Sequence, residues 1–128
     1  MIKVKGAKIG VLGGSFDPAH KGHLKISKIA LKKIKLKKIY WVITKKNPFK
    51  EKAFFSLADR IKKAKKITKR VKSIEIIYLD DILKSSKSIK VIQYILRKKK
   101  PKELYFMIGS DNLLKFHKWH SWKRIVKL

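Results

Sequence analysis

Short apolar runs alternate with longer amphipathic segments along the chain, and this alternation constrains the fold more than any other feature. The runs are rich in β-branched and aromatic residues, which favours buried strands. Between them, apolar residues recur at three- and four-residue spacing, as they do on one face of a helix. The strand-forming runs are KIGVL (8–12), KIYWVIT (38–44), SIEIIYL (73–79) and ELYFMIG (103–109).

The segments between the runs predict helices. The first extends from about His20 to Lys35, the second has Ser56 as its N-cap, and the third starts after Ser88 and stops at Pro101. The segment 110–128 is also predicted to be helical. The predicted apolar faces are Leu57, Ile61, Ala64, Ile67 and Val71 in the second helix, and Ile89, Ile92 and Leu96 in the third. The order β-α-β-α-β-α-β-α predicts an α/β fold, a Rossmann-like open parallel sheet with helices on both faces.

The bulk composition indicates a single globular domain. A chain of 128 residues with 45% hydrophobic residues can bury a modest core. It has no cysteine, which excludes a disulfide scaffold and a thiolate metal site. The first residues, MIKVKGAKIGVLGG, lack the apolar region of a signal peptide. No apolar run approaches the roughly 20 residues of a membrane span. We therefore expect a soluble cytoplasmic protein with no membrane partner.

The charge balance is strongly basic. Lys and Arg total 36 against 8 Asp and Glu, for a formal net charge of +28. Such a field attracts polyanions. However, only Arg60, Arg70, Arg97 and Arg124 are arginines, whereas dedicated nucleic-acid binders favour the bidentate contacts of arginine. We interpret the lysine excess as compositional, with weak polyanion binding as a by-product and no specific nucleic-acid partner.

The stretch GGSFDPAHKGH (13–23) has a composition unlike the rest of the chain. Gly13 and Gly14 follow the first strand and are expected to turn the chain sharply and to let a ligand approach the backbone. A helix starting near His20 offers free N–H groups to an anion, and His20 and His23 are aimed at the same anion. Asp17 is expected to cap or brace the turn.

Other phosphate and metal motifs fit this stretch poorly. It has no Gly-Lys-Ser/Thr of a Walker loop and no GxGxxG fingerprint. The two histidines have no third ligand nearby, so no metal site is expected. Ligands of open parallel sheets bind at the carboxyl ends of the strands. The stretch 13–23 follows strand one and 109–122 follows strand four, so the two are expected to share one rim.

Together, GGSFDPAHKGH and IGSDNLLKFHKWHSWKRI (108–125) resemble the signatures of the HxGH nucleotidyltransferases, specifically the bacterial nicotinate-nucleotide adenylyltransferases. Phosphopantetheine adenylyltransferases are relatives within this group but usually lack a histidine at the position of His20. The resemblance implies transfer of AMP from ATP to nicotinate mononucleotide, with release of pyrophosphate, usually with Mg²⁺ and without a covalent enzyme intermediate. ATP and nicotinate mononucleotide are thus the implied small-molecule partners.

The resemblance also implies roles for individual residues. His20 and His23 would be catalytic and would stabilise charge on the triphosphate. Trp119 would stack on the pyridine ring, and backbone N–H groups at His120 and around Ser88 would bind the nicotinate carboxylate, which selects the acid over the amide. The implied residues on the ATP and phosphate side are Gly14, Ser15 and Phe16 through their backbone, Lys50, Gly109 and Asp111, the last through sugar hydroxyls.

One expected family motif does not occur in the sequence. The family carries Ile-Ser-Ser-Thr-x-Ile/Val-Arg near its C-terminus, after a fifth strand, whereas this sequence stops at Leu128. We therefore expect residues 1–128 to form one nucleotidyltransferase domain, C-terminally truncated relative to the family, with strand four unpaired at its edge. Three alternatives stay open: a completing chain or homo-oligomer, a remnant basic polyanion-binding domain, and a related nucleotidyltransferase with another acceptor.

Overall fold

A computed structural model of the chain describes residues 5–44, 55–79 and 88–107. The predicted last helix and the loop at Asn47–Lys50 lie outside these residues. The described elements, in chain order, are β1 (Lys8–Gly14), α1 (Lys21–Lys33), β2 (Lys38–Ile43), α2 (Leu57–Ile67), β3 (Ile74–Ile77), α3 (Ser88–Lys99) and β4 (Glu103–Met107). Each one overlaps the strand or helix that the sequence predicts.

The four strands form one parallel sheet in the order β3-β2-β1-β4. In its register, β1 pairs Gly14 with Ile43 of β2 and Leu12 with Met107 of β4. The strand that precedes the glycine-rich motif is therefore central, and β4, which precedes the second motif, is its direct neighbour. The predicted Rossmann-like arrangement is confirmed, and the carboxyl ends of β1 and β4 lie on one rim.

The helices cover both faces of the sheet, as predicted. Side chains of successive strand residues point to opposite faces, so Ile39, Trp41 and Ile43 pack with α1 and α2. Tyr40 and Val42 pack on the opposite face with α3. Burying a side chain of this size stabilises the fold by about 1.5–3 kcal/mol. No helix within the described ranges is long and apolar enough to span a bilayer.

The helix boundaries follow local hydrogen bonding. Ser56 is the N-cap of α2, as predicted, and its Oγ accepts from the N–H of Asp59 at 3.1 Å. The helix ends at Ile67, so Val71 of the predicted face lies beyond it, although it still packs on the same core cluster. Ser88 is the first residue of α3 and not the residue before it.

The buried face of α3 is wider than predicted. Val91 and Ile95 pack against strands β1 and β2, whereas Ile92 and Leu96 pack against β4. Of the predicted face, Ile92 and Leu96 supply the β4 side of the contact, and the side chain of Ile89 lies outside the described part of the structure. Helix α3 packs both on β1 and β2 and on β4, whereas a single i, i+3, i+4 pattern predicts only one line of contact.

Candidate functional site

The N-terminus of α1 is closed by two histidines that cap each other. His20 is the N-cap, in extended conformation, and its Nδ1 accepts a hydrogen bond from the N–H of Gly22 at 3.0 Å. Three residues later, Nδ1 of His23 accepts from the N–H of His20 at 3.1 Å. The ring centroids of His20 and His23 are 4.0 Å apart. The structure thus brings together the two residues that the sequence predicts to act on one anion.

These hydrogen bonds fix the tautomer of both rings. A backbone N–H can only donate, so each Nδ1 is an unprotonated acceptor. In the neutral ring the proton must then reside on Nε2, the nitrogen that is not used for capping. Two N–H donors are thereby presented side by side at a helix N-terminus, where the aligned peptide dipoles favour an anion.

The ring of His23 rests on a buried aromatic stack. The three rings contact one another: the centroid of Phe16 lies 4.6 Å from that of His23 and 5.1 Å from that of Trp41, and His23 and Trp41 are 5.9 Å apart. Behind them, Trp41 Nε1 donates to Ser27 Oγ at 2.8 Å, and Ser27 Oγ donates to the carbonyl of His23 at 2.9 Å. Trp41 and Ser27 are completely buried, so the first turn of α1 is anchored to the core beneath it.

This environment keeps His23 uncharged. Burial of the ring, and secondarily the nearby His20, lower the pKa of His23 to about 4. Charging an imidazole in a partly buried apolar setting is unfavourable because the ring loses hydration that the aromatic neighbours do not replace. In the free chain at neutral pH, His23 is therefore a neutral hydrogen-bond donor.

Gly22 is required by the position of the His20 ring. A Cβ at residue 22 would lie 2.7 Å from Cε1 and 2.9 Å from Nδ1 of His20. Both distances are shorter than side chains tolerate, so any other residue displaces the ring. This role is not predicted from the sequence, although the glycine inside the His-x-Gly-His core was the available signal.

The structure corrects the predicted role of Gly13 and Gly14 in turning the chain. Both belong to β1 and pair with Val42 and Ile43 of β2. A Cβ on either one would make only ordinary contacts, at 3.7 Å or more. The left-handed residue is Phe16, with φ of 49°, so the chain leaves the sheet two residues later than predicted.

The turn after β1 is braced from a distance. The side chain of Phe16 is 3% exposed and belongs to the core, so only its backbone is available to a ligand. Asp17 Oδ1 accepts from the N–H of Phe55 at 2.8 Å. The prediction that Asp17 braces the turn is confirmed, with a partner that lies 38 residues along the chain.

Arg60 is a buried cation next to this turn that the sequence analysis did not single out. Its side chain is 2% exposed, and Nη1 donates to the carbonyls of Ser15 at 2.9 Å and Thr44 at 2.7 Å. Nε donates to the carbonyl of Phe55 at 3.2 Å. The available signal was its rarity, because Arg60 is one of four arginines in a lysine-rich chain.

The remaining predicted site residues lie mostly outside the described residues. These are Lys50, Gly109, Asp111, Trp119 and His120. Ser88 begins α3 at the amino end of the helix. Within 5–44, 55–79 and 88–107, no three His, Asp or Glu side chains stand close enough together to hold a metal ion.

Comparison with known proteins assigns the chain to a family. Residues 11–128 match the cytidylyltransferase-like family. A Pelagibacter ubique protein named "Probable nicotinate-nucleotide adenylyltransferase" is 52% identical over 126 residues, covering 98% of this chain and 69% of its own length. A Bradyrhizobium protein of the same name, from strain ORS 278, is 35% identical over 120 residues, covering 93% and 62%.

The fold agrees with a solved structure. The Plasmodium falciparum nicotinic acid mononucleotide adenylyltransferase, complexed with NaAD, matches with a TM-score of 0.74 at 20% identity, over 94% of this chain and 60% of that one. The chain thus spans about two thirds of the length of the relatives it matches. It belongs to the cytidylyltransferase-like family, among the nicotinate-nucleotide adenylyltransferases.

Proposed function

We propose that the chain transfers AMP from ATP to nicotinate mononucleotide, forming nicotinate adenine dinucleotide and pyrophosphate. The observation that carries the proposal is the pair of imidazoles at the start of α1, each held through Nδ1 with Nε2–H left to donate. They stand beyond the carboxyl end of the central strand, where parallel sheets bind nucleotides. The names of the relatives in the sequence comparison support this activity.

The reaction asks for positioning and charge stabilisation more than for a protein nucleophile. A phosphate oxygen of nicotinate mononucleotide attacks the α-phosphorus of ATP, a new P–O bond forms, and the bond to the β-phosphate oxygen breaks. His20 and His23 would donate from Nε2 to the phosphate oxygens on which negative charge accumulates. An arriving polyanion would raise the pKa of His23 from about 4, since a nearby opposite charge favours the imidazolium.

Other residues would contact the two substrates directly. Gly14, Ser15 and Phe16 would approach the nucleotides through their backbone, and Lys50 would contact phosphate. Gly109 and Asp111 would border adenosine, while Ser88, Trp119 and His120 would bind the nicotinate portion. Two backbone N–H donors facing the carboxylate would reject nicotinamide mononucleotide, because its amide presents an NH₂ to those donors.

Divalent metal belongs to the proposal as part of the nucleotide substrate. No cluster among the described residues would hold Mg²⁺ through protein ligands alone. Mg²⁺ is commonly bound through substrate phosphates and few carboxylates, so the metal would enter as Mg–ATP. The role left to the described residues is to bind the phosphate oxygens. We further propose that the protein is cytoplasmic, because both proposed substrates are soluble nucleotides.

The test is pyrophosphate release by the 128-residue chain with ATP, Mg²⁺ and nicotinate mononucleotide, compared with nicotinamide mononucleotide and phosphopantetheine as acceptors. The decisive variant is His20→Asn, because asparagine is a good N-cap and keeps the helix start while removing the Nε2 donor. We expect turnover to fall by at least about 100-fold. Lys25→Ala, on the exposed face of α1, is the control and should retain activity.

The outcomes separate the proposal from its alternatives. Turnover with another acceptor alone would assign the chain to a related reaction. No turnover with any acceptor, together with tight and steeply salt-dependent nucleic-acid binding, would favour a basic polyanion-binding domain, which the net charge of +28 motivates. Wild-type turnover in His20→Asn would reject the role assigned to the imidazole.

A further inference from the structure

The buried guanidinium of Arg60 joins three backbone segments at the rim of the sheet. It binds the carbonyl of Ser15 in the turn after β1, the carbonyl of Thr44 after β2, and the carbonyl of Phe55 before α2. A fully ionised side chain is rarely 2% exposed unless its donors are satisfied. Backbone carbonyls from separate segments meet that requirement and at the same time tie those segments together.

The contact between Arg60 and the Ser15 carbonyl determines the orientation of the Ser15–Phe16 peptide group. A trans peptide is planar, with its C=O and N–H on opposite sides. Because the Ser15 carbonyl accepts from Arg60 Nη1 at 2.9 Å, the N–H of Phe16 is directed away from the guanidinium. Arg60 therefore sets the orientation of a peptide group in the GGSF part of the motif.

The backbone conformation of Phe16 that accompanies this orientation is unfavourable for its residue type. Phe16 has φ of 49°, in the left-handed region that bulky residues avoid. Such a conformation persists only where the surroundings determine it. Two restraints do so in this turn. The first is the buried Phe16 ring, which stacks on Trp41 and contacts His23 at a tilt. The second is the Arg60 bond, which a return of Phe16 to negative φ with a flipped peptide would break.

Asp17 makes a second contact at the same joint, by which we mean the junction between the turn after β1 and Phe55 at the entry of α2. Phe55 has its C=O bound by Arg60 Nε and its N–H bound by Asp17 Oδ1. Residues 15 and 17 of the turn are thus connected to the entry of α2 through opposite sides of one residue. A single ammonium on a lysine stem offers no comparable fork of donors.

We propose that Arg60 is a positioning residue, which holds the Ser15–Phe16 peptide and the end of β2 in the arrangement that the paired histidines need to bind the nucleotide phosphates. The proposal rests on the proposed adenylyl transfer for its substrate. Arg60 itself contacts backbone and is not assigned to the reacting groups. Asp17 supports the same arrangement through Phe55.

The test compares Arg60→Lys and Asp17→Ala with Ile95→Val in the full chain. Ile95 is 1% exposed on the opposite face of the sheet, so its truncation weakens the core without touching the turn. Circular dichroism first identifies a temperature at which each variant is folded. There, kcat and KM are measured for both substrates, and histidine side-chain ¹H–¹⁵N spectra report the tautomers of His20 and His23.

We expect Arg60→Lys to lower kcat about 100-fold, since a displacement on the order of 1 Å at a reacting site can cost that much. Asp17→Ala should lower kcat several-fold, and Ile95→Val should leave it within about two-fold. The Nδ1-acceptor signature of the histidines should weaken only in the first two. If Arg60→Lys does not fold, Asp17→Ala decides, because it removes the bond to the N–H of Phe55 and leaves the Arg60 guanidinium with its three backbone carbonyl partners.

The proposal is overturned if the folded variants at Arg60 and Asp17 retain kcat and imidazole spectra like those of Ile95→Val. Failure of the proposed function is recognised separately, because the wild-type chain would then show no turnover. In that case the spectra and the affinity for Mg–ATP still decide the positioning role. Unchanged spectra and affinity in both variants would reject it.

Discussion

Gly22→Ala should separate the stability of α1 from the geometry of its two histidines. The added Cβ would lie 2.7 Å from Cε1 of His20, so the ring must retreat by about 0.7 Å to reach a tolerable 3.4 Å. The ring is exposed and can rotate away, which breaks its hydrogen bond with the N–H of Gly22. Loss of an N-cap costs about 0.5–2 kcal/mol, whereas alanine in place of glycine in a helix gains about 1 kcal/mol.

These two effects oppose each other, so the free energy of unfolding should change by less than about 1 kcal/mol. The activity should nevertheless fall about 100-fold, because Nε2 of His20 is moved from its place beside His23. Urea unfolding followed by circular dichroism measures the first quantity, and pyrophosphate release measures the second. Lys21→Ala, at the neighbouring exposed position, is the control. Turnover within three-fold of the Lys21→Ala control would refute the steric reasoning.

Two further predictions concern the support of the site. Folding lowers the pKa of His23 from 6.5 to about 4. Between these two values the unfolded chain binds the proton more readily than the folded chain, so the free energy of unfolding is highest above pH 6.5 and decreases as the pH falls towards 4. After allowance for partial solvent exposure, the free energy of unfolding should decrease by about 1–2 kcal/mol. The urea midpoints of the wild type and His23→Gln should diverge between pH 6.5 and 4. Midpoints that change with pH in parallel would contradict the prediction. Ser27→Ala removes the acceptor of the Trp41 Nε1–H bond and should destabilise the fold by about 1–3 kcal/mol. In a double-mutant cycle with Trp41→Phe, additive effects would show that the bond contributes nothing.

The architecture could be predicted from the sequence because its signals are local and repeated. Four apolar runs and the helical spacing between them determine the alternation, and alternation leaves few topologies other than a parallel sheet. The same logic places the carboxyl ends of β1 and β4 on one rim, and in the structure β4 pairs directly with β1. Position along the chain and strand polarity were sufficient for this inference.

The details of the turn after β1 could not be predicted in the same way. Two consecutive glycines indicate a turn, yet Gly13 and Gly14 extend the strand while Phe16 adopts the positive φ. The cause is tertiary: the Phe16 ring gains a buried place against both His23 and Trp41. Burial of this kind outweighs a backbone preference of about 1–2 kcal/mol.

Arg60 escaped prediction for a related reason. Sequence periodicity identifies apolar faces, and a charged residue beside Ile61 is normally assigned to solvent. Its partners are backbone carbonyls of Ser15, Thr44 and Phe55, and a backbone carbonyl has no signature in the sequence. In the sequence, only the scarcity of arginine distinguishes Arg60 from the many other charged residues.

The spacing of the two histidines has a physical cause in the way the helix begins. A reciprocal cap requires one side chain at the N-cap and another three residues later, and in α1 both are imidazoles. An imidazole differs from the usual capping side chains because it has a second nitrogen. Nδ1 satisfies the helix, and Nε2 is left as a donor whose direction the cap has fixed. A spacing of two or four would not close the reciprocal pair, and the two donors would no longer be held side by side. Structural and chemical roles therefore reside on different atoms of the same two rings, and this is why a substitution such as His20→Asn can remove one role while keeping the other.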